Sequence, residues 1–510
     1  MGLASACRSG HDAAAVRVPI AIEMGGGPGT PGSEAIVDAV DLCYTSALDL
    51  GKMIRAREIS PVEIATTVLE RIDRLNPTLN AFLTVTPDLA LEQARAAEAR
   101  ALKGELLGPI DGIPVSIKDL EPMAGVRCTF GSKWTEENVA TEDGVATGRI
   151  RKAGGVLLGK TNTPHFGYKD MCDNFLGDPC KNPWKLDRTS GASSGGAGAS
   201  VAAGLGPLAH GSDGAGSVRI PAALCGIFGM KPSFGRVPYA PAADYWGGRS
   251  HVGPMTRTVR DGAALLGVMA GPDDRDPLSI DGPVPDFLAA CDGDLKGLKV
   301  VWSPNLKHGL VDPEVRQIAE RAAKAFADFG CTLDEGSPPW DDPYEWHKTM
   351  YEVGVSARVD ERARERPEWI EATMMQMVEH ARGVSAIAYQ QAILQRTAFY
   401  NVARAWFEGF DLLLTPQMPV GAWSHEPGPN EGPREIGGTP TRSMFDRLPF
   451  TYPFNLTNQP AATVPCGFTS EGLPVGLQIV GKWHADTTVL RAAACFEAAR
   501  PWAQHRPALD

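Results

Sequence analysis

The chain has no CxxC pair, no excess of basic charge, no apolar run long enough to span a bilayer, and no histidine placed to activate its serines. Each absence removes a class of protein. The ten cysteines are scattered, with Cys172 and Cys180 the closest two. That usage provides no zinc-ligand set and fits reduced thiols better than a disulfide framework. Lys and Arg together number 49 against 61 Asp and Glu, a formal net charge of −12. An acidic balance of this size argues against nucleic acid or a membrane surface as partner. At the N-terminus Arg8, His11 and Asp12 interrupt the sequence, and residues 18–22 are too short an apolar stretch for a signal peptide. The expected location is the cytoplasm.

What is present is ordinary in bulk and organised in detail. Hydrophobic residues at 43% and a length of 510 allow a large buried core. Residues 1–36, with the run Gly25-Gly26-Gly27-Pro28-Gly29, read as a flexible tail, and residues 37–510 as one domain. A helix is expected over 47–57. A second opens with Ser60 as N-cap, Pro61 at the first helical position and Glu63 completing a capping box. Its apolar positions Ile64, Val68, Leu69 and Ile72 repeat at helical spacing, and Asn76-Pro77 should end it. A long helix follows over 89–103. Strands at 113–117, 155–158, 298–302, 412–414 and 475–480 then interleave with helices at 144–152, 313–329 and 384–407. This alternation argues for an α/β domain on a mostly parallel or mixed sheet. Residues 340–400 are rich in helix formers and charge, and are expected to cap the sheet.

Two serine-bearing segments stand out, Gly191-Ala192-Ser193-Ser194-Gly195-Gly196 and Asp213-Gly214-Ala215-Gly216-Ser217. A Gly/Ser stretch is ordinarily a linker. Here it runs on into the small apolar residues 197–209, which suit a tightly packed buried helix. Glycines 214 and 216 let consecutive N–H groups of residues 214–217 point into one concavity, as an oxyanion hole requires, with Ser217 in the same cradle. Upstream, Lys118 ends the apolar run Ile113-Pro114-Val115-Ser116-Ile117. Burial disfavours an ammonium, so a desolvated lysine can act as a base. Together these residues suggest a Ser-Ser-Lys hydrolase.

Gly112-Ile113-Pro114-Val115-Ser116-Ile117-Lys118-Asp119, Ala192 to Gly196 and the segment from Asp213 to Pro221 resemble the amidase signature family. The similarity extends to Gly159-Lys160-Thr161-Asn162-Thr163-Pro164, Asn182-Pro183-Trp184 and the late strand from Gly472 to Gln478. It implies one α/β/α domain with no metal or organic cofactor. It assigns Ser217 as nucleophile, Ser193 as a bridging serine after a cis peptide from Ala192, and Lys118 as base. Three positions depart from the family pattern: Ala192 and Ala215 stand where glycine is common, and His165 where glutamate is usual. Phe166, Tyr168, Met171, Cys172 and Trp246 are pocket candidates that could equally be core, with Met171 and Cys172, on a loop shortly before the bridging serine, preferred.

The resemblance implies an amidohydrolase for linear C–N bonds in amides, anilides or carbamates, with a small-molecule substrate. Similar enzymes include aryl acylamidases, 6-aminohexanoate cyclic-dimer hydrolases and urethane hydrolases. The sequence leaves open whether the chain forms a homodimer. The alternative within the family is the A subunit of a glutamyl-tRNA amidotransferase, which needs partner subunits. A scaffold role is disfavoured by the intact Lys118, Ser193 and Ser217. From another class, Gly154 to Thr161 fits the Walker A pattern GxxxxGK[ST] of a nucleotide-binding protein. Val156-Leu157-Leu158 reads as a strand, however, and Thr163-Pro164 does not propagate the helix a P-loop needs. His210 and Cys225 flank the nucleophile segment and read as core.

Overall fold

The capping box at Ser60 shows how closely local sequence dictates this fold. In the computed structural model, which describes residues 38–425 and 432–510, Ser60 Oγ accepts from the Glu63 N–H at 3.1 Å and Glu63 Oε2 accepts from the Ser60 N–H at 2.8 Å. The helix it starts, α1, spans Pro61–Leu79 and so passes through Pro77. Proline sits in the last turn, where it removes only one terminal bond, and Asn80 in a left-handed conformation closes the helix instead. Asn76 is a bracket rather than a stop, because its side chain both accepts from and donates to the backbone of Phe82. The tail expected over residues 1–36 lies outside the described residues.

Phe82 opens the first of eleven strands of one sheet. In chain order these are β1 Phe82–Val85, β2 Pro114–Lys118, β3 Val156–Thr161, β4 Leu208–Asp213, β5 Phe228–Lys231, β6 His251–Thr256, β7 Lys299–Trp302, β8 Thr332–Glu335, β9 Leu412–Pro416, β10 Ala461–Phe468 and β11 Pro474–Gly481. Their spatial order is β1-β3-β2-β4-β6-β5-β10-β11-β9-β7-β8. The sheet is mixed. β3, β2 and β4 run parallel, as do β9, β7 and β8, while β6, β5, β10 and β11 join the two groups through antiparallel pairs. Every residue of β2, β3, β4 and β11 is buried. Strands buried on both faces need cover on both sides, which the helices supply.

Two short helices follow the serine segments: α2, Gly195–Ala202, and α3, Arg219–Cys225, both entirely buried. Small residues let them meet; a Cβ on Gly198 would sit 3.0 Å from Pro221 Cβ. Between β8 and β9 lie three longer helices, α4 Tyr344–Glu365, α5 Ala372–Arg382 and α6 Ala386–Trp406. Tyr351 of α4 packs its ring edge-on to Phe445, which ties this helical segment to the chain entering β10.

Candidate active site

β2 ends on Lys118, whose side chain is completely buried. Its Nζ lies 2.8 Å from Ser193 Oγ, 3.1 Å from Ser212 Oγ and 3.2 Å from the Ser212 carbonyl oxygen. Burial lowers the lysine from its ordinary 10.5 to about 7, against the opposing pull of Asp213. A neutral amine at this position has a lone pair to offer Ser193.

Ser193 follows a cis peptide from Ala192 and precedes α2. The two serine segments are stitched directly together: the Ser194 N–H donates to the Ser217 carbonyl at 3.0 Å. Ser194 Oγ also donates to the Ser212 carbonyl and accepts from the Ser212 N–H. Ser217 itself is half-buried and lines a deep cavity, and its hydroxyl has no hydrogen-bond partner among the described residues.

Backbone N–H groups in a folded interior are nearly always paired. Among the described residues, those of Gly214, Ala215 and Ser217 have no acceptor, and all three residues line the cavity. Gly216 behaves differently from expectation: its N–H donates to Asp213 Oδ1 at 2.7 Å and is not free for an oxyanion. Its φ of +126° and the crowding by Thr451 explain why glycine stands there.

Asp213 anchors this loop from beneath. Burial works against its carboxylate, but Arg219, Lys231 and Asn455 hold it well below the usual range. Arg219 donates from Nε to Oδ2 at 2.9 Å and from Nη2 to Oδ1 at 3.0 Å. The same guanidinium reaches Gln478 Oε1 on β11 at 2.7 Å, Asn455 Oδ1 at 2.6 Å and the Thr451 carbonyl at 3.1 Å. The sequence motifs do not single out Arg219, Asn455, Thr451 or Ser212. Arg219 does carry a signal, a lone cation in the apolar run Val218-Arg219-Ile220-Pro221, which has to find a buried partner.

The cavity encloses about 620 Å³. Phe166, Tyr168, Phe234, Tyr239 and Tyr351 supply aromatic wall. Met171 and Cys172 do not line it. Both are buried, Met171 in a core cluster with Ala215 and Ile220, and Cys172 pressed against Gly195. The loop turns its earlier residues, from Phe166 to Asp170, to the cavity and its later ones to the core. His165 is buried against the Phe166 ring, and burial lowers it to about 4, so it is neutral. Burial likewise lowers His210 to about 3 and pushes the Cys225 thiol well above its ordinary value, leaving neither as base or nucleophile.

The Walker-like segment is no phosphate cradle. Its residues Val156–Thr161 form β3, and Lys160 is spent in the interior beside Asp119 at 3.4 Å. Among the described residues no group of three or more His, Cys, Asp or Glu is placed to hold a metal ion, and no helix is long and apolar enough to cross a membrane.

Comparison with known proteins agrees with this architecture. Residues 63–490 match the Amidase family. An acylamidase of Rhodococcus erythropolis is 41% identical over 472 residues, covering 92% of this chain and 98% of the relative. The A subunit of the glutamyl-tRNA(Gln) amidotransferase of Moorella thermoacetica is 34% identical, covering 92% and 99%. Among solved structures, a bacterial aryl acylamidase superposes with a TM-score of 0.85 at 32% identity, over 90% of this chain and 97% of that one. A 6-aminohexanoate cyclic dimer hydrolase superposes with a TM-score of 0.82 at 30% identity, over 91% and 99%. With its motifs, its eleven-stranded sheet and these matches along nearly its whole length, the chain belongs to the amidase signature family, hydrolases acting on C–N amide bonds.

Proposed function

We propose that the protein hydrolyses small linear amides, anilides or carbamates through an acyl-enzyme on Ser217, with Ser193 and Lys118 as its proton relay. The observation that carries this reading is the contact between the buried Lys118 Nζ and Ser193 Oγ at 2.8 Å, on a cavity that Ser193 shares with Ser217 and its three unpaired N–H groups. Neutral Lys118 takes the Ser193 proton as Ser193 takes that of Ser217. Ser217 Oγ then bonds to the substrate carbonyl carbon. The carbonyl oxygen gains negative charge, which the N–H groups of Gly214, Ala215 and Ser217 stabilise; losing one such donor typically costs roughly 10²–10³ in rate. The proton passes back to the leaving amine nitrogen, the C–N bond breaks, and water later releases the acid. The relay is closed at its lysine end and open at Ser217, and catalytic hydrogen bonds commonly tighten only when substrate binds.

A second reading, the A subunit of an amidotransferase, is supported by the 34% identity to such a protein. One experiment separates the two. The purified chain is given an aliphatic amide, an anilide, an aryl carbamate and glutamine, with Ser217→Ala protein alongside. Hydrolysis of the first three by the chain alone, lost in the variant, supports the amidohydrolase. Activity on glutamine only, dependent on added partner subunits, supports the other.

A further inference from the structure

The cavity wall holds three arginines without an ion-pair partner among the described residues, although the exposed Asp244 acts on Arg249 from a distance. Arg249, Arg358 and Arg362 all line it, and among the described residues none makes a side-chain hydrogen bond or an ion pair. Two of the neighbouring charges are already paired with opposite ones. Asp170 is gripped by both prongs of Arg447, and Lys169 is paired with Asp173 and Glu371. Asp276 accepts from the N–H groups of Tyr239 and Leu278, and the exposed Asp244 accepts from that of Gly247.

Arg249 is the best held of the three. Its guanidinium lies over the Tyr351 ring at 5.0 Å, and its Nη1 is buried with no partner. Gly354, one turn further along α4, makes room for it: a Cβ there would come within 3.3 Å of Nη2. Glycine inside a helix costs about 0.5–1 kcal/mol against alanine, so this clearance is maintained at some expense. Arg249 is also tied to the oxyanion loop. Asn455 Nδ2 donates to the carbonyls of both Asp213 and Arg249, and the adjacent Ser250 Oγ would lie 3.4 Å from a Cβ on Gly214. Arg358 and Arg362, four residues apart on α4, present a second and third positive charge on the same cavity.

Like charges converging on a half-closed cavity repel one another, and a buried N–H donor without an acceptor is unfavourable. Both conditions are relieved by a bound anion. Resting on the hydrolase reading above, we propose that the preferred substrate is an anionic amide, whose carboxylate is taken by Arg249 with Arg358 and Arg362 while its carbonyl meets Ser217. The planar guanidinium fork suits a carboxylate better than a point charge would.

Three probes test this: acetanilide as the neutral parent, succinanilate with the carboxylate on the acyl side, and 4-acetamidobenzoate with it on the amine side. Their affinities for Ser217→Ala protein are measured by calorimetry, and their kcat/KM values on the active enzyme. One of the two anions is expected to exceed acetanilide by about ten- to hundredfold in both measurements, as charge-assisted hydrogen bonds allow. That advantage should shrink severalfold in Arg249→Gln and, less, in Arg358→Gln, with Arg249→Lys retaining part of it. The proposal is overturned if neither anion binds better than acetanilide, or if the advantage survives both glutamine variants. Turnover of acetanilide without anion preference leaves the hydrolase reading standing and removes this one. Tight, Arg249-dependent anion binding with no turnover of any probe does the reverse.

Discussion

Asp213 and Arg219 grip each other by two hydrogen bonds, 2.9 and 3.0 Å, across a loop that contains Ser217 between them. Both side chains are fully buried. The pair therefore fixes the two ends of the segment that carries Ser217, and Asp213 also takes the Gly216 and Val218 N–H groups. Arg219→Met leaves a buried carboxylate without its cation, and an unfolding free energy lower by about 3–5 kcal/mol is expected. Denaturant titration measures it; a loss under about 1 kcal/mol would show that the pair is not what holds the loop.

Gly216→Ala tests the loop from the other side. The residue has φ +126°, and a Cβ would lie 2.6 Å from Thr451 Cβ. Such a backbone conformation costs a side chain roughly 1–3 kcal/mol, before the clash is counted. The variant should fold with lowered Tm and lose kcat by roughly 10²-fold or more, because the flanking N–H donors move. Wild-type kcat would mean that these donors do not hold the oxyanion.

The pH profile follows from Lys118. Its amine is lowered to about 7, so the neutral form required by the relay dominates above that pH and is lost below it. With a substrate that does not titrate, kcat/KM should rise through a limb near pH 7 to a plateau. A profile flat through neutrality would contradict the assignment. The same shift links to stability: between about 7 and 10.5 the unfolded chain binds a proton that the folded chain has released, so this group's contribution rises with pH across that window.

Lys118→Met separates catalysis from folding. The buried amine is replaced by a side chain of similar length that needs no desolvation, so Tm should be held or raised while activity falls by roughly 10²–10⁴-fold. A large drop in Tm would instead give Lys118 a structural role.

The helical segment beside the cavity has its own fastening. Lys169 Nζ, buried, lies 2.8 Å from Asp173 Oδ2 and also bonds Glu371, the residue that precedes α5. Glu371→Gln weakens that anchor. Faster proteolysis within residues 344–406 is expected, with KM affected more than kcat; an unchanged digestion pattern would show that the segment is held elsewhere.

Local chemistry makes much of this legible in the sequence. Ser60 and Glu63 announce a helix start, the run ending at Lys118 is a buried strand, and Ser193 of the first glycine-serine segment lies 2.8 Å from that lysine. What escapes depends on register and distance. Asn455 and Gln478 meet Arg219 from 236 and 259 residues away, by virtue of where the short helix Tyr452–Leu456 and β11 lie. No periodicity near Arg219 encodes that. The same applies to Met171 and Cys172: a loop's burial is decided by which of its residues turns inward, and here the division falls after Asp170. Pro77 misleads because a terminal helix turn tolerates what an interior turn does not.

The central claim is a covalent acyl-enzyme on Ser217, and intact-protein mass spectrometry after rapid quench with an activated aryl carbamate tests it most directly. With this probe Ser217 Oγ bonds to the carbonyl carbon and the aryloxide, a better leaving group than the amine, departs with the proton, so the account predicts a single carbamoyl adduct, mapped by digestion to the peptide carrying Ser217, absent in Ser217→Ala and strongly slowed in Lys118→Met. An adduct on another residue, or undiminished hydrolysis by the Ser217→Ala protein, would contradict it.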